Sequence, residues 1–337
     1  MVTSEAGSGA GGTGAGLLAD VGEDAVVATL LERFAALGPA AGEPDDVLVG
    51  PGDDAAVLRV RRGHAVVSTD LLVEDRHFRR DWCSATDVGH RAAAQNLSDI
   101  NAMGGRAHSL TLGLALPSDL PLAWVREFAD GFATEAARVG ARVVGGDVTG
   151  GDQVVVAVTV LGTVAKAPVL RSGARPGDVV ALCGRQGWAA GGLAVLGRGF
   201  RSPRVLVEAY RRPEPPYAAG PAAAEAGATA LVDVSDGLLS DAGHVAQASG
   251  VRIDLRTADL EVAEPLHAVG SALGADPLRF VLTGGDDHPL LGTFPAGATL
   301  PEGWRAVGAV HELRVDDTSA VTVDGEVPEG DLGWRHF

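Results

Sequence analysis

The 337 residues predict an α/β (α+β) protein built from two mixed domains, on three observations. Short β-prone runs alternate with longer stretches of helical periodicity, which implies strands layered against helices. The pattern halts at the turn-rich segment Ser172-Gly-Ala-Arg-Pro-Gly-Asp178 and begins again at Val179. The length suffices for two cores, since domains usually run about 100 to 200 residues. We expect a flexible tail over residues 1–20, an N-terminal domain over 21–166 and a C-terminal domain over 167–337.

Residues 1–16 are mostly Gly, Ala, Ser and Thr and lack the basic start and apolar centre of a signal peptide. Apolar residues at helical spacing place a first helix over 24–37, ending at Gly38. β-prone runs follow at 47–49, 55–60 and 65–67, and then an alanine-rich helix from Thr86 to Met103 stops at Gly104-Gly105. A strand is expected over His108–Leu116, a helix over Leu120–Val139, and strands over Ala141–Val144 and Gln153–Val164. The second half opens with a strand at Val179–Cys183. Helices follow near 188–198, 203–211, 219–227 and 237–249, with strands near 229–234, 251–255, 279–283 and 289–294.

A net charge of −17 argues against nucleic acid or an anionic membrane as partner, because both are gripped by Lys and Arg patches. The most apolar stretch, Val154 to Ala165, is too short to span a bilayer. Cys83 and Cys183 lie in separate halves without metal-ligand spacing, so neither a disulfide framework nor a zinc site is indicated, and a cytoplasmic location fits.

Five aspartate clusters, each beside glycine or a hydroxyl residue, are the main chemical signal: Gly52-Asp-Asp54, Ser68-Thr-Asp70, Gly145-Gly-Asp147, Asp233-Val-Ser-Asp-Gly237 and Gly284-Gly-Asp-Asp287. Converging carboxylates repel by roughly 1 to 4 kcal/mol per close pair, so such a group calls for a counterion. Mg²⁺ typically takes one or two carboxylates together with substrate phosphates. Each cluster also has a plain alternative. Gly52-Asp-Asp54 reads as a β-turn or a ligand pair. Asp70, at the end of the run Ala65–Thr69, reads as a cap or as a site residue at a strand end. Asp99 sits near the negative end of its helix, needing a cation or donor there unless it is simply solvated. Gly145-Gly-Asp147 reads as a hairpin turn or as close backbone approach to a ligand. Ser235 or Asp236 could cap the helix that follows, and a helix start also welcomes phosphate.

The chain has one lysine, Lys166, in the context Val164-Ala-Lys-Ala-Pro168. This fits neither a P-loop nor a protein-kinase strand lysine. If ATP binds here, metal ions must supply most of the charge neutralisation.

Taken together in their order and spacing, these segments resemble those of the thiamine-monophosphate kinases, in the superfamily of aminoimidazole ribonucleotide synthetase, selenophosphate synthetase and the hydrogenase-maturation dehydratase. The resemblance spans about residues 22–337 and also uses Asn96-Leu-Ser-Asp-Ile-Asn-Ala-Met-Gly104, Leu170-Arg171 and the terminal Gly333-Trp-Arg-His-Phe337. It implies an N-terminal sheet that pairs with its mate in a homodimer, a C-terminal α/β domain, and ATP with several Mg²⁺ between them. The implied reaction passes the γ-phosphoryl of ATP in line to thiamine monophosphate, with positioning and charge neutralisation as the source of catalysis and no protein base. It implies Asp54, Ser68, Thr69, Asp70, Asp99, Asp147, Asp233 and Asp236 as metal ligands. Gly146, Asp147, Arg171 and Ser235 would meet ATP, and His77, Asp286 and Trp334 would meet thiamine monophosphate, with the thiazolium on the indole face.

One segment departs from the family pattern. Gly284-Gly-Asp-Asp-His-Pro-Leu290 stands where Gly-Gly-Glu-Asp-Tyr-Glu-Leu is usual, so Asp286 is one methylene shorter than the expected glutamate. The alternatives are another ATP-dependent member of the superfamily, or a non-catalytic protein that binds nucleotide or divalent cations. The selenophosphate and hydrogenase-maturation types fit less well, since no Cys precedes Gly52 and none stands at the C-terminus.

Overall fold

The computed structural model describes residues 17–39, 47–49, 57–58, 64–315 and 317–334. Asp54 and the rest of its cluster lie outside them. Helix α1 (Leu18–Phe34) is followed by the short antiparallel pair β1 (Val47–Val49) and β2 (Val57–Leu58). Then come β3 (His64–Val73), α2 (Ala85–Ala102), β4 (Arg106–Leu116), α3 (Leu122–Ala137), β5 (Arg142–Gly150) and β6 (Val155–Val164). Four of these strands form one sheet in the order β3-β6-β4-β5, antiparallel except for the β4–β5 pair.

Strict alternation of buried and half-buried residues along β6 shows that one face of this sheet carries the core. Helices α2 and α3 are its cover, and they cross at two glycines. A Cβ on Gly89 would fall 2.0 Å from the Phe128 carbonyl oxygen, and one on Gly131 the same distance from that of Thr86. Phe34, Trp124, Phe128 and Phe132 pack in edge-on, stacked and tilted pairs around the crossing.

The second half holds β7 (Val179–Cys183), α4 (Trp188–Gly197), α5 (Arg204–Arg211), α6 (Ala219–Glu225), β8 (Ala230–Asp233), α7 (Leu238–Ser249), β9 (Val251–Leu255) and α8 (Glu264–Leu273). It closes with α9 (Pro277–Thr283), β10 (Leu290–Phe294), β11 (Trp304–Glu312) and β12 (Val321–Val323). Its six strands run β12-β9-β11-β7-β10-β8, antiparallel except for the β12–β9 pair.

Several elements differ from the sequence-based expectation, each for a local reason. The run 279–283 is helix α9 and not a strand, because Asp276 caps it by accepting from the Leu278 amide and Pro277 opens its first turn. Strand β3 continues to Val73 because all ten of its residues pair with β6, so Asp70 lies inside the strand and not at its end. Strand β5 likewise continues through Gly145-Gly-Asp147, which pair with β4. The helix starting at Leu238 is capped by neither Ser235 nor Asp236. Instead Asp241, from the first turn, accepts from the amides of Ser235, Asp236 and Gly237 at 3.0–3.1 Å.

The two sheet layers are tied together through α2 and α3. Asn101 accepts from the Gly220 amide at 2.9 Å and donates to the Pro216 carbonyl at 3.1 Å. Arg212 meets Asp87 at 2.5 Å, Arg211 donates to the Trp82 carbonyl at 2.6 Å, and Tyr217 donates to the fully buried Glu135. Among the described residues, no helix is long and apolar enough to cross a membrane.

Candidate active site

A cleft of about 950 Å³ opens where α2 meets the second half. One wall is β3. Because side chains alternate along a strand, Ser68 and Asp70 face α2 and line the cleft, while Thr69 points the other way, where its hydroxyl meets that of Thr159 at 2.8 Å. Helix α2 contributes Arg91, Gln95 and Asp99, four residues apart and therefore on one face. Asp233, at the end of β8, and the turn Ser235-Asp236 lie opposite, with His288 behind them.

Four carboxylates, Asp70, Asp99, Asp233 and Asp236, thus line one cleft. Ser68 Oγ donates to Asp99 Oδ2 at 2.5 Å, and Asn96 Oδ1 accepts from the Asp70 amide at 3.2 Å. Burial pushes the Asp99 carboxyl up to about 7, and the charges of Asp233 and Asp70 push the same way against the Ser68 bond and His288. His288 Nδ1 lies 3.0 Å from Asp233 Oδ2. Burial opposes its charged form, but the bond to Asp233 and that carboxylate's charge outweigh it and raise the imidazole above its ordinary value. Carboxylates and a hydroxyl lining one cleft are the hard oxygen donors that a divalent cation takes.

The rest of the cleft is lined by a different set of side chains. His77 is oriented by the Val73 amide, which donates to its Nδ1 at 3.0 Å. Arg171, on the turn Arg171–Gly173 before β7, is exposed at the rim. Trp334 is 52% exposed and is tied by its amide to the Asp236 carbonyl at 2.8 Å.

The loop after α9 is tightly constrained. A Cβ on Gly285 would fall 1.9 Å from the Ser235 carbonyl oxygen, and Asp286 and His288 both adopt positive φ, 67° and 54°. Asp286 donates its amide to the same Ser235 carbonyl at 3.0 Å, and Asp287, fully buried, accepts from the Ala189 amide at the start of α4 at 2.9 Å. Burial pushes the Asp287 carboxyl up to about 7.

Ten of the residues expected from the sequence therefore share this cleft: Ser68, Asp70, His77, Asp99, Arg171, Asp233, Ser235, Asp236, Asp286 and Trp334. Thr69, Gly146 and Asp147 do not line it. Gly146 and Asp147 are exposed on β5, three strands from β3, a separation of about 14 Å at the usual strand spacing. Arg91, Gln95, Tyr210 and His288 line the cleft without having been expected there. For Arg91 and Gln95 a signal existed, since both stand at multiples of four before Asp99 on a helix already identified.

The sequence and the fold are shared with known proteins. Residues 52–164 match the AIR synthase related protein N-terminal domain, and residues 175–285 match the corresponding C-terminal domain. The chain is 47% identical over 297 residues, covering 88% of itself and 87% of its counterpart, to a thiamine-monophosphate kinase of Mycobacterium tuberculosis strain H37Rv. The chain belongs to the thiamine-monophosphate kinase family. Among solved members of that family, the crystal structure from Stenotrophomonas maltophilia K279a superposes with a TM-score of 0.76 at 32% identity, covering 90% of this chain and 96% of that one. AaThiL complexed with AMPPCP and TMP superposes with a TM-score of 0.75 at 30% identity, covering 94% and 98%. The chain thus shares both fold and sequence with the thiamine-monophosphate kinases.

Proposed function

We propose that this protein transfers the γ-phosphoryl group of ATP to thiamine monophosphate, giving thiamine diphosphate and ADP. The observation that carries the reading is the make-up of the cleft. Carboxylates from β3, α2 and β8 line it together with His77, Asp286 and Trp334, in a chain 47% identical to a thiamine-monophosphate kinase.

Ser68, Asp70, Asp99, Asp233 and Asp236 would hold Mg²⁺. When bound, the ion would neutralise the phosphate charge that the chain's one lysine, which does not line the cleft, cannot. Arg171 and Ser235 would meet the ATP phosphates, Arg171 as a fork of donors suited to phosphate oxygens. His77, oriented by the Val73 amide that donates to its Nδ1, would face the acceptor substrate from the cleft wall. The Trp334 indole is exposed enough for a cationic thiazolium to rest on its face. These residues bind and orient; the accepting phosphate oxygen is already anionic and needs no base, so alignment provides the rate.

The expected homodimer finds support in β3. It is an edge strand among the described residues, and its face away from α2 exposes Val67 (68%) and Leu71 (53%). Two free, buried cysteines suit a reducing cytoplasm.

The test is to incubate the purified protein with ATP and Mg²⁺, with and without thiamine monophosphate, and to follow ADP and thiamine diphosphate by chromatography. Equal amounts of the two products are expected. ADP without thiamine diphosphate would point to another acceptor.

A further inference from the structure

Arg91 has an unusual position for a cation. It sits on α2, in the first half of the chain, yet only 3% of it is exposed, and it donates to Tyr210 and Asp286 in the second half. Its Nη1 donates to the Tyr210 carbonyl at 2.5 Å, its guanidinium carbon lies 4.8 Å from the centre of the Tyr210 ring, and its Nη2 donates to Asp286 Oδ2 at 2.5 Å. Asp286 is held at its amide by the Ser235 carbonyl, at 3.0 Å. Its backbone is in the left-handed region, and its side chain remains 47% exposed on the cleft wall.

We propose that Arg91 is a positioning residue for the acceptor substrate, holding the Asp286 carboxylate in the orientation that receives a hydrogen-bond donor such as the amino group of an aminopyrimidine. The role rests on the kinase reading above. A short carboxylate on a constrained backbone reaches little of the cleft unaided, and a long, planar, doubly engaged guanidinium fixes where its oxygens stand. The reach is divided between the partners: a long cation meets a short anion. Lysine at 91 would lose the second donor and some length, and glutamate at 286 would add one methylene, so each single change mismatches the pair and the double change restores it.

The experiment compares the full-length wild type, Arg91→Lys, Asp286→Glu and the double variant, measuring KM for thiamine monophosphate and for ATP separately, with thermal melting to verify folding. Each single variant is expected to raise KM for thiamine monophosphate about tenfold, the worth of one charge-assisted hydrogen bond, while KM for ATP changes less than about twofold. The double variant is expected to return to within about threefold of wild type. Unchanged KM for thiamine monophosphate in both single variants, an equal rise in both KM values, or a double variant as impaired as the sum of the singles would overturn the proposal. If Arg91→Lys does not fold, Asp286→Glu alone decides, since a tenfold selective rise supports the role and no rise rejects it. If the wild type makes no thiamine diphosphate, the kinase reading fails on its own. Calorimetric binding of thiamine monophosphate to the same four proteins then decides: the same pattern in Kd supports the positioning role, and equal affinities overturn it.

Discussion

At the scale of single residues, alternation along one strand decides which side chains share the cleft. Ser68 and Asp70 face α2 and Thr69 faces away, so Thr69→Val should leave kcat within about twofold of wild type, whereas Asp99→Asn should lower it at least about a hundredfold while the protein stays folded. Steady-state kinetics with circular dichroism checks both. Trp334→Ala should raise KM for thiamine monophosphate more than KM for ATP; the reverse order would take the indole out of the acceptor pocket. Asp287 offers a pH test. Its folded-state carboxyl titrates near 7 because it is buried, well above an unfolded aspartate. The folded state therefore holds the extra proton between about pH 4 and 7, and this group's effect is to lower stability as pH rises through that window. Asp287→Asn, which still accepts from the Ala189 amide, should flatten that fall and be more stable than wild type at pH 8, by an amount on the order of a few kcal/mol. Denaturant titrations at pH 5 and pH 8 on both proteins measure it, and parallel pH profiles would count against a buried, proton-holding Asp287.

At the scale of elements, legibility followed how local the determinant is. Helix α2 could be read from alanine content and its glycine stop, and the aspartate clusters from short motifs. Helix α9 could not be read from Phe280-Val281-Leu282, a β-prone run, although its start signal Asp276-Pro277 was in the sequence. The extents of β3 and β5 depend on partner strands far away in the chain, and with them the facing of Thr69 and the distance of Asp147 from the cleft. Strand β11 was missed because a register shift at Ala306–Gly308 breaks its alternation. The contact of Arg91 with Asp286 spans 195 positions, and no local pattern announces it. The α2–α3 crossing yields a prediction at this scale. Gly89→Ala or Gly131→Ala puts a methyl against backbone oxygen on the other helix, and should cost more than about 2 kcal/mol by chemical denaturation.

At the scale of the molecule, β3 serves two surfaces. One face supplies Ser68 and Asp70 to the cleft, and the other exposes Val67 and Leu71. If that second face is the dimer contact, Val67→Lys with Leu71→Lys should halve the mass measured by light scattering; an unchanged mass would place the contact elsewhere. The same economy appears in α2, which carries Asp99 near one end and Arg91 two turns earlier, a separation of about 12 Å along the axis. A helix of fixed pitch thus works as a ruler between the acidic group and the Asp286 anchor, and as a phase lock between them. One residue inserted between Arg91 and Asp99 would lengthen the ruler by only about 1.5 Å but rotate one mark relative to the other by about 100°. Each group would remain locally intact, but donor and acceptor would no longer be brought into line with each other.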